Sequence, residues 1–492
     1  MSLPSTVKVR PPVPVTGDLP EPAPLVEAPA EAPAEARVDG SRQPLDWLER
    51  ELERWAESPD LLVVSIPAPV AEPESLLEVS SRPAGALWDP SDGLAFCGVG
   101  AANTIQLEGR DRFARLQEAA DEVWRQLSAR SHTDCLALSP RLYGGLAFDA
   151  DSPDSDPWQE FGGGCFTLPR IGYTTDGQRA ALSLAVRGTE IASAEDRLAY
   201  IAEFDTLRSL LASRSESIVP SAARSEVRAV HRPSESRWQA EIEAIRAGIR
   251  QGEFQKIVAA GSSRVELAAP LETAAVLRRL SRGLRASTRF AFCRPTSTFL
   301  GATPERLITR RGRSIATEAL AGSIASGGTG AERLLRSRKD LREHQLVVDE
   351  IVRRLGPLCA ELTASPRPRV RALRDVLHLL TPITGTLAAP RHVLELVEEL
   401  HPTPAVGGVP TEVAMQWISE HEIAGRGWYA APVGWFDAQG DGDFAVALRS
   451  CVLRGSEAFL FAGAGIVRDS DPGLEYTETE LKKQALLTAL GA

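Results

Sequence analysis

No run of about 18 consecutive apolar residues occurs in the 492 residues, so no membrane-spanning helix is expected. The first residues lack a basic-then-apolar leader, and the cytoplasm is the expected location. Basic residues do not outnumber acidic ones: 55 Lys and Arg stand against 66 Asp and Glu, a net charge of −11. That disfavours nucleic acid as a partner, because non-specific binding to phosphates needs basic surface. The six cysteines (97, 135, 165, 293, 359 and 451) never form a CxxC pair. They read as reduced thiols, not as a disulfide or zinc framework. Seven histidines never gather at metal-ligand spacing, which argues against zinc. GxxxxGK[ST] is missing, so no phosphate-binding P-loop is supported. GxSxG is missing too, and with it the nucleophile elbow of a serine hydrolase.

What is present is ordinary for a globular protein: 43% hydrophobic and 25% charged residues, over a length that fits one large domain or two to three smaller ones. Residues 1–40 hold nine of the 35 prolines and no aromatic side chain. Nothing there can build a core, so a disordered tail is expected. Residues 41–225 read as a scaffold half. Helical spacing covers 46–57, 110–129 and 193–212, with Ser193 placed as an N-cap. Strand signals fall at 61–66 and 144–148, and a hairpin signal at 85–100. A Ser/Arg/Pro-rich stretch, 213–236, reads as a connection.

Residues 226–492 carry the chemical signals. A helix with Trp238, Ile242, Ile245 and Ile249 on one face should stop at Gly252. Lys256 then stands at the entrance of a strand, on the face of Val258 and Ala260. Thr303-Pro304-Glu305 closes another strand. Thr317 to Ser323 is short and rich in small residues, and 322–330 reads as a mobile loop. Ser337 to Leu355 is a helix with Asp340 and Glu343 at i, i+3. The stretch Gly427 to Lys483 organises the rest. Two strands meet at a Gly/Asp turn, and a third ends in Ala462-Gly463-Ala464-Gly465. Without side chains there, something can approach the backbone closely. Glu475, Glu478 and Lys482 follow at i, i+3, i+7, one face of a helix. Two carboxylates and an ammonium beside bare backbone suggest a site for an anion and a hard cation.

Six segments in this order form a specific set: Lys256-Ile257-Val258, Gly301-Ala302-Thr303-Pro304-Glu305, Ala319-Leu320-Ala321-Gly322-Ser323, Lys339-Asp340-Leu341-Arg342-Glu343-His344, Leu400 to Gly408, and 427–483. Together they resemble the chorismate-utilising enzymes: isochorismate synthase, salicylate synthase, and the large subunits of anthranilate and aminodeoxychorismate synthases. The resemblance covers about 236–483, with a looser match at Leu142 to Phe148. It implies one α+β domain in which two large antiparallel sheets pack face to face with helices outside. Lysine at 256 resembles the members that use water, since the ammonia-using ones typically carry Gln. Ala321 stands where aminodeoxychorismate synthase has its adduct-forming lysine. The run Trp428 to Trp435, followed by Asp441-Gly442-Asp443-Phe444, looks most like isochorismate synthase, with Ala431 where the family usually has Gly.

The resemblance implies a Mg²⁺-dependent interconversion of chorismate and isochorismate, with Lys256 as base and Glu305 as acid. Glu343 and Glu478 would bind the metal, and Asp340 and Glu475 would support it from behind. Tyr429, Arg449, Gly463, Gly465, His378 and Lys482 would surround the substrate. It further implies a monomer with no glutaminase subunit, serving menaquinone or siderophore synthesis. Two other readings remain at this point: a salicylate synthase, which would go on to eliminate pyruvate, and a non-catalytic chorismate-binding homologue.

Overall fold

Strand Leu61–Ala68 shows how the chain builds its interior. Side chains alternate across a strand, and here both faces are apolar. Leu61 and Val63 enter one core, while Leu62, Val64 and Ile66 enter another. The same sorting recurs at Ser297–Thr303, with Phe299 in the first core and Leu300 and Ala302 in the second.

The computed structural model describes residues 43–491, apart from 83–84, 137–138, 151–155, 217–225, 285, 374–375 and 423–424. The expected tail, 1–40, lies outside the described residues. The 21 strands described form one hydrogen-bonded network, which reads as two sheets sharing the long strand Gly164–Thr175. The first sheet runs Leu127–Ser131, Leu61–Ala68, Ala180–Arg187, Gly164–Thr175, Ala95–Leu107, Gly85–Asp89, Thr288–Cys293, Ser297–Thr303, Ser450–Arg454, Glu457–Ile466, Lys256–Leu267 and Val227–His231. Every pairing in it is antiparallel except the outermost, between Leu61–Ala68 and Leu127–Ser131. The second sheet leaves Gly164–Thr175 through Arg141–Leu146, Pro432–Asp437, Gly442–Val446, Arg306–Arg311, Ser314–Ala325 and Val376–Leu387.

The first core combines Phe290, Phe292 and Phe299 of one sheet with Phe166, Phe436 and Phe444 of the other. The sheets therefore pack face to face. The second core lies under helices, among them Gln43–Trp55, Ala194–Glu216, Thr273–Gly283 and Pro472–Leu490, through Leu48, Phe204, Leu277 and Leu487.

The structure moves several expected boundaries. The helix expected at 110–129 ends at Arg125, and Leu127–Ser131 is a strand. The supposed connection 213–236 includes the strand Val227–His231. The expected loop 322–330 is strand as far as Ala325. Gly322, at φ +76°, sits where the register with Val376–Leu387 shifts. A Cβ there would come within 3.1 Å of Asp340 Cβ. The glycine marks close helix packing, not flexibility. Ser193 does cap its helix, accepting from Asp196 N at 3.0 Å, and Gly252 ends its own at φ +83°.

Candidate active site

One cavity is lined by eleven of the twelve side chains and glycines singled out from the sequence: Glu305, Asp340, Glu343, His378, Tyr429, Arg449, Gly463, Gly465, Glu475, Glu478 and Lys482. The twelfth, Lys256, is fully buried just behind the wall, its Nζ 2.9 Å from Glu343 Oε1. The contact is an ion pair with poor hydrogen-bond angles, so this ammonium has no well-aligned acceptor.

The floor comes from strands Lys256–Leu267 and Glu457–Ile466, which pair Gly465 with Val258 and Gly463 with Ala260. The bare backbone makes room for the site's own side chains. A Cβ on Gly465 would strike Glu343 Oε1 and lie 2.9 Å from Lys256 Cε. A Cβ on Gly463 would lie 2.7 Å from the Ala259 carbonyl and 3.3 Å from the Tyr429 hydroxyl.

Two helices deliver the carboxylates. Ser337 caps helix Arg338–Leu355, accepting from Asp340 N at 3.3 Å while its hydroxyl donates to the Asp340 carboxylate. Asp471 caps helix Pro472–Leu490 through Gly473 N and Leu474 N, both at 3.0 Å. The acidic spacing then turns Asp340 and Glu343 toward Glu475 and Glu478. Lysines neutralise most of this charge. Lys339 Nζ is 2.7 Å from Glu475 Oε1, and Lys482 Nζ is 2.7 Å from Glu478 Oε1 and 2.9 Å from the Gly463 carbonyl. Burial raises the Asp340 pKa, and Glu343 and Glu478 add to the effect. Burial and then Glu478 raise Glu475, against the opposing pull of Lys339. Burial also works against the charge on Glu478, but Lys482 outweighs it and the pKa is lowered.

Among the described residues no group of three or more His, Cys, Asp or Glu side chains is arranged as a ready metal cage. A hydrated Mg²⁺ needs only one or two carboxylates beside waters and a ligand. Glu343 and Glu478 raise the Asp340 pKa and Glu478 raises that of Glu475, a crowding of negative charge that a divalent cation would relieve, so the residues fit such an ion.

Glu305 ends strand Ser297–Thr303 in a tight turn. Thr303 Oγ1 donates to the Val446 carbonyl at 2.6 Å and accepts from Glu305 N at 3.2 Å. The Glu305 carbonyl accepts from Val446 N at 3.1 Å. Its side chain is buried, and its pKa is raised to about 8. Burial is the main cause and Glu318 the next, opposed by Lys256, Lys482 and Arg371.

The opposite wall holds two left-handed non-glycine residues, Ala430 at φ +60° and Arg449 at φ +49°. Such backbone is strained and persists only when its surroundings fix it. Here Ala430 N donates to the Ala447 carbonyl at 3.0 Å, and Ala447 N to the Ala431 carbonyl at 2.9 Å. Arg449 Nη2 lies 3.2 Å from His378 Nε2, and His378 Nδ1 lies 2.9 Å from Ser323 Oγ. Burial, then Arg449 and Lys482, push the His378 pKa well down. The imidazole is therefore neutral, with Nε2 accepting from Arg449 and Nδ1–H donating to Ser323. Burial raises the Tyr429 pKa to about 12, so it presents a neutral hydroxyl.

Sequence reasoning missed Lys339, Ser323 and Arg426 as parts of this wall. Arg426 is buried and donates to the Val406 and Val258 carbonyls. Its one visible signal was its place just before Gly427.

Comparison with known proteins agrees with this geometry. A family model described as chorismate binding enzyme matches residues 49–491. The salicylate biosynthesis isochorismate synthase of Pseudomonas aeruginosa is 39% identical over 417 residues, 82% of this chain and 84% of that one. Isochorismate synthase MenF of Bacillus subtilis is 33% identical over 423 residues, 82% of this chain and 87% of that one. Among solved structures, MenF, the menaquinone-specific isochorismate synthase from Escherichia coli, matches with a TM-score of 0.73 at 29% identity. That match covers 91% of this chain and 100% of the other. No described helix is long and apolar enough to cross a membrane. With the family model matching nearly the whole chain around a cavity of this composition, the chain belongs to the chorismate-binding enzymes.

Proposed function

We propose that this protein is an isochorismate synthase, interconverting chorismate and isochorismate in the cavity. Water adds at ring carbon 2, the hydroxyl at carbon 4 leaves, and the ring double bonds shift. That chemistry needs a base for the water and an acid for the leaving hydroxyl. The observation that carries the reading is Glu305, a buried carboxyl on the cavity wall that holds its proton to about pH 8. Glu305 is then the proton donor and Lys256 the base. A lysine base must shed its proton before it can take one from water.

Arg449 and Tyr429 hold the enolpyruvyl carboxylate, the guanidinium by its planar fork and the phenol as a neutral donor. His378 fixes Arg449 and lies against the ring. Gly463 and Gly465 leave room for the substrate's own anionic edge, and Lys482 balances the acidic cluster. Mg²⁺ would be held by Glu343 and Glu478, with Asp340 and Glu475 behind them. When bound, it neutralises and orients the ring carboxylate.

Product chromatography after incubation with chorismate and Mg²⁺ tests the proposal. Isochorismate should form without stoichiometric pyruvate. Pyruvate release equal to chorismate loss would make the protein a salicylate synthase. Substrate left unchanged in the presence of metal would leave only a binding protein.

A further inference from the structure

Glu305 lies between Pro304 and Arg306, and one ion pair grips both neighbours. Arg371, on strand Arg369–Ala372, donates through Nη1 to the Pro304 carbonyl. The same guanidinium forks onto Glu318, with Nη1 on Oε1 and Nη2 2.9 Å from Oε2. Glu318, on strand Ser314–Ala325, in turn accepts from Arg306 N at 3.2 Å. The carbonyl before Glu305 and the amide after it thus hang from the two halves of one bidentate salt bridge. The Glu318 side chain is 10% exposed and that of Arg371 22%. Solvent screens such a pair less than it would a surface pair. Thr303 and Val446 hold the same turn from the other side.

We propose that Glu318 and Arg371 are positioning residues for Glu305: they fix its backbone and set the balance of charge around its carboxyl. The inference rests on the reading of Glu305 as proton donor. Neither residue lines the cavity, so neither needs to touch substrate. The charges facing Glu305 are Glu318, Arg371, Lys256 from strand Lys256–Leu267 and Lys482 from helix Pro472–Leu490. Within this set Glu318 acts most strongly and Arg371 least, and removing either half of the pair tips the balance in a direction fixed by its sign.

Glu318→Gln keeps the shape and an acceptor for Arg306 N, but leaves the Arg371 cation uncompensated. Glu305 should then lose its proton at lower pH. Arg371→Gln leaves the Glu318 anion uncompensated, and Glu305 should keep its proton to higher pH. Arg371→Lys keeps the charge and loses the fork, so the titration should stay in place while turnover falls.

The test uses the full-length protein. The infrared carbonyl band of protonated Glu305, identified by its loss in Glu305→Gln, is followed against pH in each variant, and kcat is measured alongside. The midpoint should fall by about one unit in Glu318→Gln and rise by a smaller step in Arg371→Gln. Turnover should drop roughly tenfold in all three variants, because the donor is no longer held in place. A packing role alone would lower kcat without moving the midpoints apart. Midpoints that stay put, or move the same way, overturn the inference while the loss of turnover in Glu305→Gln keeps the donor reading. Full turnover in Glu305→Gln overturns the donor reading and this inference with it. Should Glu318→Gln fail to fold, the contrast between Arg371→Gln and Arg371→Lys still decides the matter.

Discussion

At the scale of single residues, the two groups proposed to transfer protons stand in different surroundings. Glu305 stands on the wall, whereas Lys256 stands behind it with Glu343 against its ammonium. Lys256→Ala and Glu305→Gln should each lose kcat by on the order of 10²-fold or more. A catalyst cannot shift an equilibrium, so each variant should lose kcat/KM by the same factor in both directions. Near wild-type turnover in either would show that residue to be a bystander. Glu305 also predicts a stability effect. Its carboxyl ordinarily titrates at 4.5 and in the folded chain at about 8. Between those values the folded state holds a proton that the unfolded state has released. Stability therefore falls as pH rises through this window. Glu305→Gln removes the dependence, and should be more stable than wild type above pH 8 by on the order of a few kcal/mol. Below pH 4.5 the two should melt alike. Melting curves at both ends of the window check this, and an equal gap at both would refute it.

At the scale of elements, the site was legible wherever its pattern was local. The spacing of Asp340 with Glu343, and of Glu475 with Glu478 and Lys482, placed each set on one helix face, and the structure turns both faces to one cavity. What no spacing carries is contact across the fold. Lys256 and Glu343 lie on different elements and meet only because Gly465 leaves space between them. The strand Val376–Leu387 was not legible as a strand, because His378 and Pro382 interrupt its apolar pattern. Ser323 and Arg426 gave no spacing signal of their own. The glycines invite a direct test. In Gly465→Ala the new methyl meets the flexible ends of Glu343 and Lys256, which can yield. Stability should change by less than about 1 kcal/mol, while turnover falls at least about tenfold as the pair is pushed apart. In Gly434→Ala the methyl meets the Asp443 carbonyl and lies 2.8 Å from Phe444 Cα, both rigid backbone. That variant should lose on the order of 1–3 kcal/mol. Denaturant midpoints and kcat for both variants distinguish the two cases, and equal destabilisation would contradict this account of the bare strand.

At the scale of the molecule, the N- and C-terminal halves of the sequence interlock. Gly85–Asp89 lies against Thr288–Cys293, and Arg141–Leu146 against Pro432–Asp437. The sequence suggested a connection near 213–236, and its composition could not show that strands from both sides share sheets and one core. Fragments 43–225 and 226–492 made separately should be unfolded by near-ultraviolet circular dichroism, since each leaves sheet edges and core faces uncovered. Removal of residues 1–40 should leave melting and turnover unchanged, because that proline-rich segment carries no aromatic side chain and only scattered aliphatic ones to contribute to a core. The lysines of the cavity bear on the whole molecule as well. Lys256, Lys339 and Lys482 already neutralise Glu343, Glu475 and Glu478. A buried carboxylate destabilises a fold when it is left unpaired, and none of these three is. The protein should therefore stay folded without the ion: a chelator should lower the melting temperature only by the small mass-action share of a bound ion, while it abolishes turnover. A large drop in melting temperature would show the ion to be structural. With the fold intact and turnover lost on chelation, the ion would be a visitor to a finished building, and the pace of the reaction a gauge of how much free magnesium surrounds the molecule.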